Sequence, residues 1–595
     1  MLKIRTYNWL DILRLPFQAA PIPVILLLLA ALIQAVIPTF VLAFATAALV
    51  DTAMQIFAQQ SPTSAIYIPL ALLITAIGIT TILDNVLRLL TSRIAINMER
   101  IYTPAILEAR ANLAYQHIED EDSWELVELS DELLDTLKGG LGAVRTILRN
   151  IVAVIAVFTL IVLQVWWAAL ALVLLSVPLF WLAVRAGKRS YDAEVEALKE
   201  ERRYSYFSEE VLTNRDAVDE RTLFGYSDDV TGRYYQHFKA AHKIQLDAEL
   251  QMQIAQKSAS IVMAIISVLI ILALIPPVLS GQLSPGMFMG VVSAIFAVIE
   301  MLSSSMQPAI AKFSKGQEYL ESLTELLSLS RTPGATDLPD AEPIVFEHLD
   351  FRNVTFKYPT GESEVLHNLS FDLERGKHYA FVGANGAGKT TIAKLLTGLY
   401  DGYEGEILIN GKELRSYPIG TIKALFSVVQ QDFARYEVSL ADNIALGAAA
   451  RQVPMDQLTE LVNAVPLGTV IGKLPAGLNT HLGKIDEDGI DLSGGQWQQV
   501  ALTRSLLSPA PIKILDEPTA ALDPVAESRT YQEFEHLMRG KTTIMISHRL
   551  GSTKLADKIF VIDHGGVAEQ GTHDELMAEN GIYAQMFRAQ SDWYL

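Results

Sequence analysis

The stretch Gly383-Ala384-Asn385-Gly386-Ala387-Gly388-Lys389-Thr390-Thr391 decides the fold of the second half of this chain. A glycine, four free positions and then Gly-Lys-Thr is the spacing of a phosphate-binding loop. The strand-like run Tyr379-Ala380-Phe381-Val382 precedes it, and the helix-like run Ile392-Ala393-Lys394-Leu395-Leu396 follows. Glycines let successive backbone N–H groups turn toward one anion, where a Cβ would obstruct them. The helix that begins near Lys389 adds its positive end. In this setting Lys389 is expected to reach the β- and γ-phosphates, and the Thr390 hydroxyl to bind Mg²⁺. At average composition the four fixed positions co-occur by accident in roughly one chain of this length in fifty. The strand and helix on either side make accident rarer still.

Working outward, five more signals surround the loop. Residues 351–358 alternate like a strand and end in the aromatic Tyr358, just before Pro359. Val428-Val429-Gln430-Gln431-Asp432 closes a strand-like run with an amide. Leu492-Ser493-Gly494-Gly495-Gln496 opens a helical stretch, a second glycine-bearing helix N-terminus able to hold an anion. Ile512-Lys513-Ile514-Leu515-Asp516-Glu517 is a short apolar run ending in two carboxylates. One can hold Mg²⁺, and the next can orient or deprotonate an attacking water. Lys513 is out of place in a buried strand, which suggests a position near the sheet edge. Thr542-Thr543-Ile544-Met545-Ile546-Ser547-His548 is another strand with a polar end. Taken alone, His548 reads as structural. Doubly wound α/β proteins place ligands at the C-terminal ends of strands.

The rest of the chain has a different character. Of 595 residues, half are hydrophobic and 19% charged, and the mean hydropathy is +0.27. So long a chain calls for two or more domains. The net charge of −20 argues against a nucleic-acid partner, which would require a basic face. Cysteine is absent, which excludes disulfides, Fe–S clusters and thiolate zinc sites. No removable signal peptide is evident at Met1–Arg5, and no N-terminal peptidase domain is expected.

Residues 21–50 carry no charge, and a bilayer span needs about 20 apolar residues. A second run covers 61–83. A third, 151–184, is too long for one span and reads as two helices joined by a tight turn at Gln164-Val165-Trp166-Trp167, with the tryptophans at the interface. A fourth, 258–299, divides at Pro276-Pro277 and at 281–286. The total is six spans, near 21–48, 63–90, 144–164, 166–186, 256–277 and 286–308. The outer connections 51–63, 164–167 and 275–286 contain no Lys or Arg. The inner segments carry Arg88, Arg93, Arg100, Arg110, Lys138, Arg145 and Arg149, then Arg185, Lys188 and Arg189, then Lys312 and Lys315. The positive-inside rule places both ends of this membrane domain in the cytoplasm. Ahead of the first span, Trp9, Leu10, Ile12, Leu13 and Phe17 mixed with Asp11 and Arg14 suit a short amphipathic helix, lying on the membrane surface or packed on protein. The polar residues in or near the spans are Gln34, Asn85, Gln164, Glu300 and Gln307. Two readings of Glu300 stand: a substrate-pathway residue or a structural hydrogen-bonder. The long charged segments 88–149 and 185–257 read as helices extended into the cytosol, with tips near 117–124 and 214–220. Those tips suit contact with a motor domain or plain solvated surface. Residues 328–343 form a linker, which leaves 1–327 as the membrane domain and 344–595 as the nucleotide-binding domain.

Together and in this order, these residues resemble the ATP-binding cassette (ABC) transporters, of which Leu-Ser-Gly-Gly-Gln is the signature. Six spans followed by one cassette is similar to the half-transporter plan of ABC exporters. The resemblance implies an all-α polytopic membrane domain with long cytosolic extensions, joined to an α/β P-loop NTPase cassette. It also implies roles: Tyr358 as the aromatic that stacks on adenine, Gln431 as the amide linking Mg²⁺ and water to the membrane domain, Asp516 as the metal residue, Glu517 as the general base, Asp523 as the D-loop aspartate and His548 as the switch histidine. The two tips become coupling helices, the second inserting into the partner's cassette. One ATP lies between the loop Gly383, Ala384, Asn385, Gly386, Ala387, Gly388, Lys389, Thr390 and Thr391 of one copy and Ser493, Gly494, Gly495 and Gln496 of another. The expected partners are a second half-transporter, with a homodimer favoured over a heterodimer, the lipid bilayer and a hydrophobic or amphipathic substrate. ATP and Mg²⁺ are the expected cofactors, and a bacterial-type cell membrane the expected location. Export is the first expectation; import on the same plan, or a membrane ATPase that moves nothing, are the alternatives. Two departures stand out: Gln430 in place of the usual proline before the amide, and Lys484–Gly489 in place of a glutamate-containing segment.

Overall fold

The computed structural model describes the backbone of residues 2–214, 217–301, 305–517, 540–547 and 550–591; in several helices, chiefly between 160 and 195, only the backbone is described. It divides into two units, Met1–Ala109 with Glu125–Ser328, and Arg110–Trp124 with Leu329–Leu595.

The first unit is helical. Helix α1 (Asp11–Ala19) buries Asp11, Ile12 and Leu15. Arg5 holds the Asp11 carboxylate at 2.5 and 3.1 Å. The helix therefore packs on protein, while Trp9, Leu10 and Phe17 stay exposed. Helix α2 (Pro21–Val36) starts with proline, whose missing N–H is an orphan at that position anyway. It passes through a π-helical turn, Ile37–Val41, into α3 (Leu42–Phe57). Pro38 within that turn cannot donate to the i−4 carbonyl, which accounts for the local change of winding. Helix α4 (Tyr67–Ala111) runs 45 residues, about 68 Å and far beyond the ~30 Å hydrocarbon core of a bilayer. Its outward face presents Ile68, Ile82 and Leu89, 78%, 64% and 72% exposed, as lipid contact requires and water would penalise.

The short α5 (Gln116–Glu119) and α6 (Glu121–Leu129) lead into α7 (Leu133–Tyr206), followed by α8 (Val218–Phe224), α9 (Ser227–Leu279), α10 (Pro285–Met301) and α11 (Gln307–Ser328). Ile12, Val24, Leu27, Leu87, Met98, Leu137 and Leu320 form one core from α1, α2, α4, α7 and α11. Ala43, Val157, Leu274, Val291 and Ile295 form another from α3, α7, α9 and α10. Helix α10 meets α3 at very close range: a Cβ on Gly290 would lie 2.4 Å from the Ala43 carbonyl oxygen. Asp51 receives the first free N–H of α10, from Gly286 at 2.7 Å.

The expected turn at Gln164–Trp167 does not appear as a break, because helical backbone is continuous from Leu133 to Tyr206. No glycine or proline lies between Gly142 and Pro178 to interrupt it. Yet α7 is no straight rod. A rod of 74 residues would be about 110 Å long. Arg202, near its C-terminal end, pairs with Glu125, which lies only eight positions ahead of its first residue. The chain reverses within α7.

The second unit holds two sheets. One is antiparallel in the order β2-β1-β4-β5, built from β1 (His348–Lys357), β2 (Glu364–Glu374), β4 (Glu404–Ile409) and β5 (Lys412–Glu413). The other has the order β10-β9-β3-β8-β7-β6, from β3 (His378–Val382), β6 (Phe426–Val429), β7 (Ile512–Asp516), β8 (Thr542–Ile546), β9 (Lys558–Asp563) and β10 (Gly566–Gly571). Its five strands β9, β3, β8, β7 and β6 are parallel. Phe351, Phe371, Phe381 and Phe560 lie in one core between the sheets. The register aligns Phe381 of β3 with Ile546 of β8, and Ile546 with Asp516 of β7. Three strand ends thus open onto one edge, where ligands bind in this class of sheet.

Candidate functional site

The phosphate loop leaves β3 at Val382 and enters α12 (Lys389–Leu396). Gly388 has φ +101°, a conformation that L side chains rarely adopt, so the backbone here favours glycine. The Lys389 ammonium donates to the Gly383 and Ala384 carbonyls, each at 2.9 Å. Burial lowers its pKa, against the pull of Glu517 and Asp516.

Asp516 ends β7 and is buried. The Thr390 hydroxyl lies 3.2 Å from its Oδ2. Burial raises the Asp516 pKa and outweighs the Thr390 hydrogen bond, with the Glu517 carboxylate pushing the same way. Glu517 follows in the left-handed region at φ +48°, and its N–H donates to the Ile546 carbonyl at 2.9 Å. A glutamate in that conformation is backbone strain of the kind found at functional sites.

Two predicted positions lie at the edges of the site. Gln431 is exposed just past the end of β6. Tyr358, directly after β1, is half-buried with its hydroxyl 2.9 Å from Thr391 Oγ1. Asp523 and His548 lie outside the described residues, as does the side chain of Glu300 on α10.

The signature forms the start of α13 (Gly494–Leu507). Ser493 caps it: its Oγ accepts from the Gln496 N–H, and Gln496 Oε1 accepts from the Ser493 N–H at 2.8 Å. Trp497 anchors that first turn in the core beneath. Lys513 overturns the expectation of an edge position. It is 1% exposed on β7, which has β8 on one side and β6 on the other. Its ammonium donates to the Ser505 and Ser508 carbonyls, both at 2.6 Å, at the C-terminal end of α13. Those carbonyls explain how the strand tolerates a lysine. Burial, then the neighbouring Lys541 charge, lowers its pKa to about 7.

The departure at Lys484–Gly489 is held by Glu437, whose carboxylate accepts the N–H groups of Lys484 and Ile485. Beside β6, Gln430, Phe433, Tyr436, Leu446, Arg451 and Arg504 border a groove of about 330 Å³. Three further residues near Tyr358, namely Lys394, Tyr400 and Glu119, are marked by no local sequence signal. They meet only through long-range packing.

A phosphate loop and a carboxylate pair on one sheet edge, with a glycine-led signature helix, define a nucleotide-hydrolysing cassette carried by a membrane protein. Residues 366–520 match the ABC transporter family model, and residues 22–301 match the ABC transporter transmembrane region. The ATP-dependent lipid A-core flippase of Salmonella paratyphi A is 30% identical, with 76% of this chain and 75% of that protein covered. The subtilin transport ATP-binding protein SpaT of Bacillus subtilis is 29% identical, with 82% and 79% covered. In three dimensions the fold is that of the solved structure of a bacterial Atm1-family ABC exporter with ATP bound. The TM-score is 0.77 at 22% identity, covering 98% of this chain and all of the other. The chain belongs to the ABC transporter family. It is an ATP-hydrolysing membrane transporter on the exporter plan, with the membrane domain and one cassette in a single polypeptide.

Proposed function

We propose that two copies of this chain export an amphipathic molecule by alternating access. In this reading each ATP is held between Gly383–Thr391 of one copy and Ser493–Gln496 of the other. The observation that carries it is the meeting of Thr390, Asp516 and Glu517 at the ends of α12 and β7. A hydroxyl and a carboxylate side by side are hard oxygen donors suited to Mg²⁺. Among the described residues no group of three or more His, Cys, Asp or Glu is placed to hold a metal ion by itself. Two protein ligands suit a cation held largely by phosphates and water. Thr390 and Asp516 would hold it, with Gln431 just past β6, the strand beside β7, and when bound it would neutralise phosphate charge. Glu517 orients and deprotonates the attacking water, Tyr358 stacks on adenine, and Lys389 shifts from the loop carbonyls to the phosphates. Asp523 and His548 take the D-loop and switch roles.

ATP draws the cassettes together, the helix tips transmit closure, and hydrolysis resets the cycle. The homodimer reading is supported by exposed apolar groups at the second tip. Leu223 and Phe224 of α8 are 81% and 75% exposed, apolar surface that a partner copy would cover. Both termini and the cassette are taken as cytoplasmic, with six spans and a bacterial-type cell membrane as the setting.

An amphipathic cargo is supported by the names of the two relatives and by the polar groups inside apolar helices. Gln34 donates to Asp84 at 2.5 Å, and the buried Asn150 donates to Ser305 at 3.0 Å. The decisive experiment is Glu517→Gln in lipid nanodiscs: ATP binding persists and turnover falls at least a hundredfold, whereas near-wild-type turnover sinks the assignment. Flux measured in inside-out against right-side-out vesicles separates export from import.

A further inference from the structure

The segment Arg110–Trp124 lies between membrane helices in the chain, yet it packs as part of the cassette unit. Two sets of contacts hold it there. On one side the linker pins it: Ala114 N–H donates to Ser330 O, Thr332 N–H donates to Asn112 O, each at 3.0 Å, and Leu113 bridges to Arg331. On the other side Glu119 reaches the cassette through Lys394 and Tyr400. One carboxylate oxygen pairs with Lys394 Nζ at 2.5 Å, and the other accepts the Tyr400 hydroxyl.

Lys394 and Tyr400 both touch Tyr358. The Lys394 ammonium lies over the Tyr358 ring, 5.2 Å from its centroid. Tyr400 meets the same ring edge-on at 5.3 Å, and Phe356 does so at 5.0 Å. Lys394 also faces Tyr115, at 5.6 Å. An ammonium placed between two aromatic rings has few polar partners, so its position depends on the one carboxylate that reaches it. Burial opposes the charge on both groups, but the Glu119–Lys394 hydrogen bond prevails, holding the Glu119 pKa down and the Lys394 pKa up.

We propose that Glu119 is a positioning residue for ATP: through Lys394 and Tyr400 it fixes the Tyr358 ring as a flat wall for the adenine base. The inference rests on the reading of Tyr358 as the adenine platform. A ring held at its hydroxyl by Thr391, packed nearly perpendicular to Phe356 and Tyr400 and covered on one face by Lys394 is preorganised. Preorganisation lowers the ordering cost of binding, so it acts on nucleotide affinity and leaves the hydrolytic groups untouched. Glu119 touches neither nucleotide nor the reacting atoms.

The test uses the full chain in nanodiscs. Glu119→Gln and, separately, Lys394→Met are expected to raise KM for ATP about five- to tenfold with kcat within twofold of wild type. Inorganic tripolyphosphate, which has no base to stack, is expected to inhibit variant and wild type equally. The charge-swapped pair Glu119→Lys with Lys394→Glu is expected to recover most of the lost affinity. An unchanged KM in both single variants, or equal weakening toward ATP and tripolyphosphate, overturns the proposal. Tyr358→Ala run alongside distinguishes the two failures: if it too leaves KM unchanged, the platform reading falls, and the proposal with it.

Discussion

The Thr390 hydroxyl lies 3.2 Å from the Asp516 carboxylate, although 126 positions separate the two in the chain. One residue starts a helix and the other ends a strand two places along the sheet. Only the parallel register of β3, β8 and β7 brings them together.

This pairing predicts opposite effects of Asp516→Asn on stability and on activity. Burial raises the Asp516 pKa. The folded chain therefore binds this proton more tightly than the unfolded chain, and stability falls as pH rises from the unfolded pKa through the folded one. Asparagine removes that penalty and also the carboxylate proposed to hold Mg²⁺. Without nucleotide, the melting temperature of Asp516→Asn at pH 7.5 should be at or above wild type. The added stabilisation by Mg²⁺-ATP, and ATP turnover, should be lost. Retained turnover would remove Asp516 from the site.

Lys513 gives a pH signature of opposite sign. Its folded pKa is about 7, against 10.5 for the ordinary side chain. Between those values the unfolded chain binds more protons, so stability rises with pH from about 7 toward 10.5. Lys513→Met deletes this contribution along with the two hydrogen bonds to the end of the signature helix. Thermal melts from pH 6.5 to 9.5 should show a steeper rise for wild type than for the variant. Subtracting one curve from the other removes the remaining titrating groups. Parallel curves would mean that the lysine is not held neutral by burial.

Exposed Leu223 and Phe224 carry a third prediction. Large apolar side chains left at the end of a charged helical extension are costly in water unless something covers them. Replacing both by serine should leave membrane insertion and melting temperature within experimental error. Substrate stimulation of ATP turnover should fall severalfold if, as proposed, this tip carries closure of one copy's cassette to the other copy's helices. Full stimulation in the double variant would show that this tip is solvated surface.

Much of the cassette was legible because its chemistry is written in short segments. A glycine needed for φ > 0, a hydroxyl that caps a helix and a carboxylate at a strand end each announce themselves within about ten residues. Ser493 and Gln496 are an example: their spacing alone foretells the capping box. What stayed hidden depends on distance along the chain. Glu119 meets Lys394 across 275 positions, and nothing near either residue marks it as a partner. Lys513 misled for a related reason. A lysine in an apolar run argues for an edge until the carbonyls of Ser505 and Ser508 are brought to it by a helix packed on the strand. In the membrane domain hydropathy located apolar runs, but with no glycine or proline between Gly142 and Pro178 the turn expected at Gln164–Trp167 rested on its glutamine and tryptophans alone.

The reversal inside α7 is the last testable point. Arg202 reaches Glu125, so the two ends of this helical run lie side by side, as two crossings of a bilayer would require. The charge pattern demands the same: on a straight rod Arg145 and Arg189 would lie on opposite faces, against the positive-inside bias. The chain has no cysteine, so single cysteines can be introduced without altering the background. A cysteine at Val165 should react with a membrane-impermeant maleimide added from outside intact cells. One at Glu196, beyond the reversal, should react only after the membrane is opened. A pair replacing Glu125 and Arg202 should cross-link within one chain through a short bismaleimide. Labelling of position 196 from outside, or failure of the pair to link, would mean that α7 crosses once and the count of six spans is wrong.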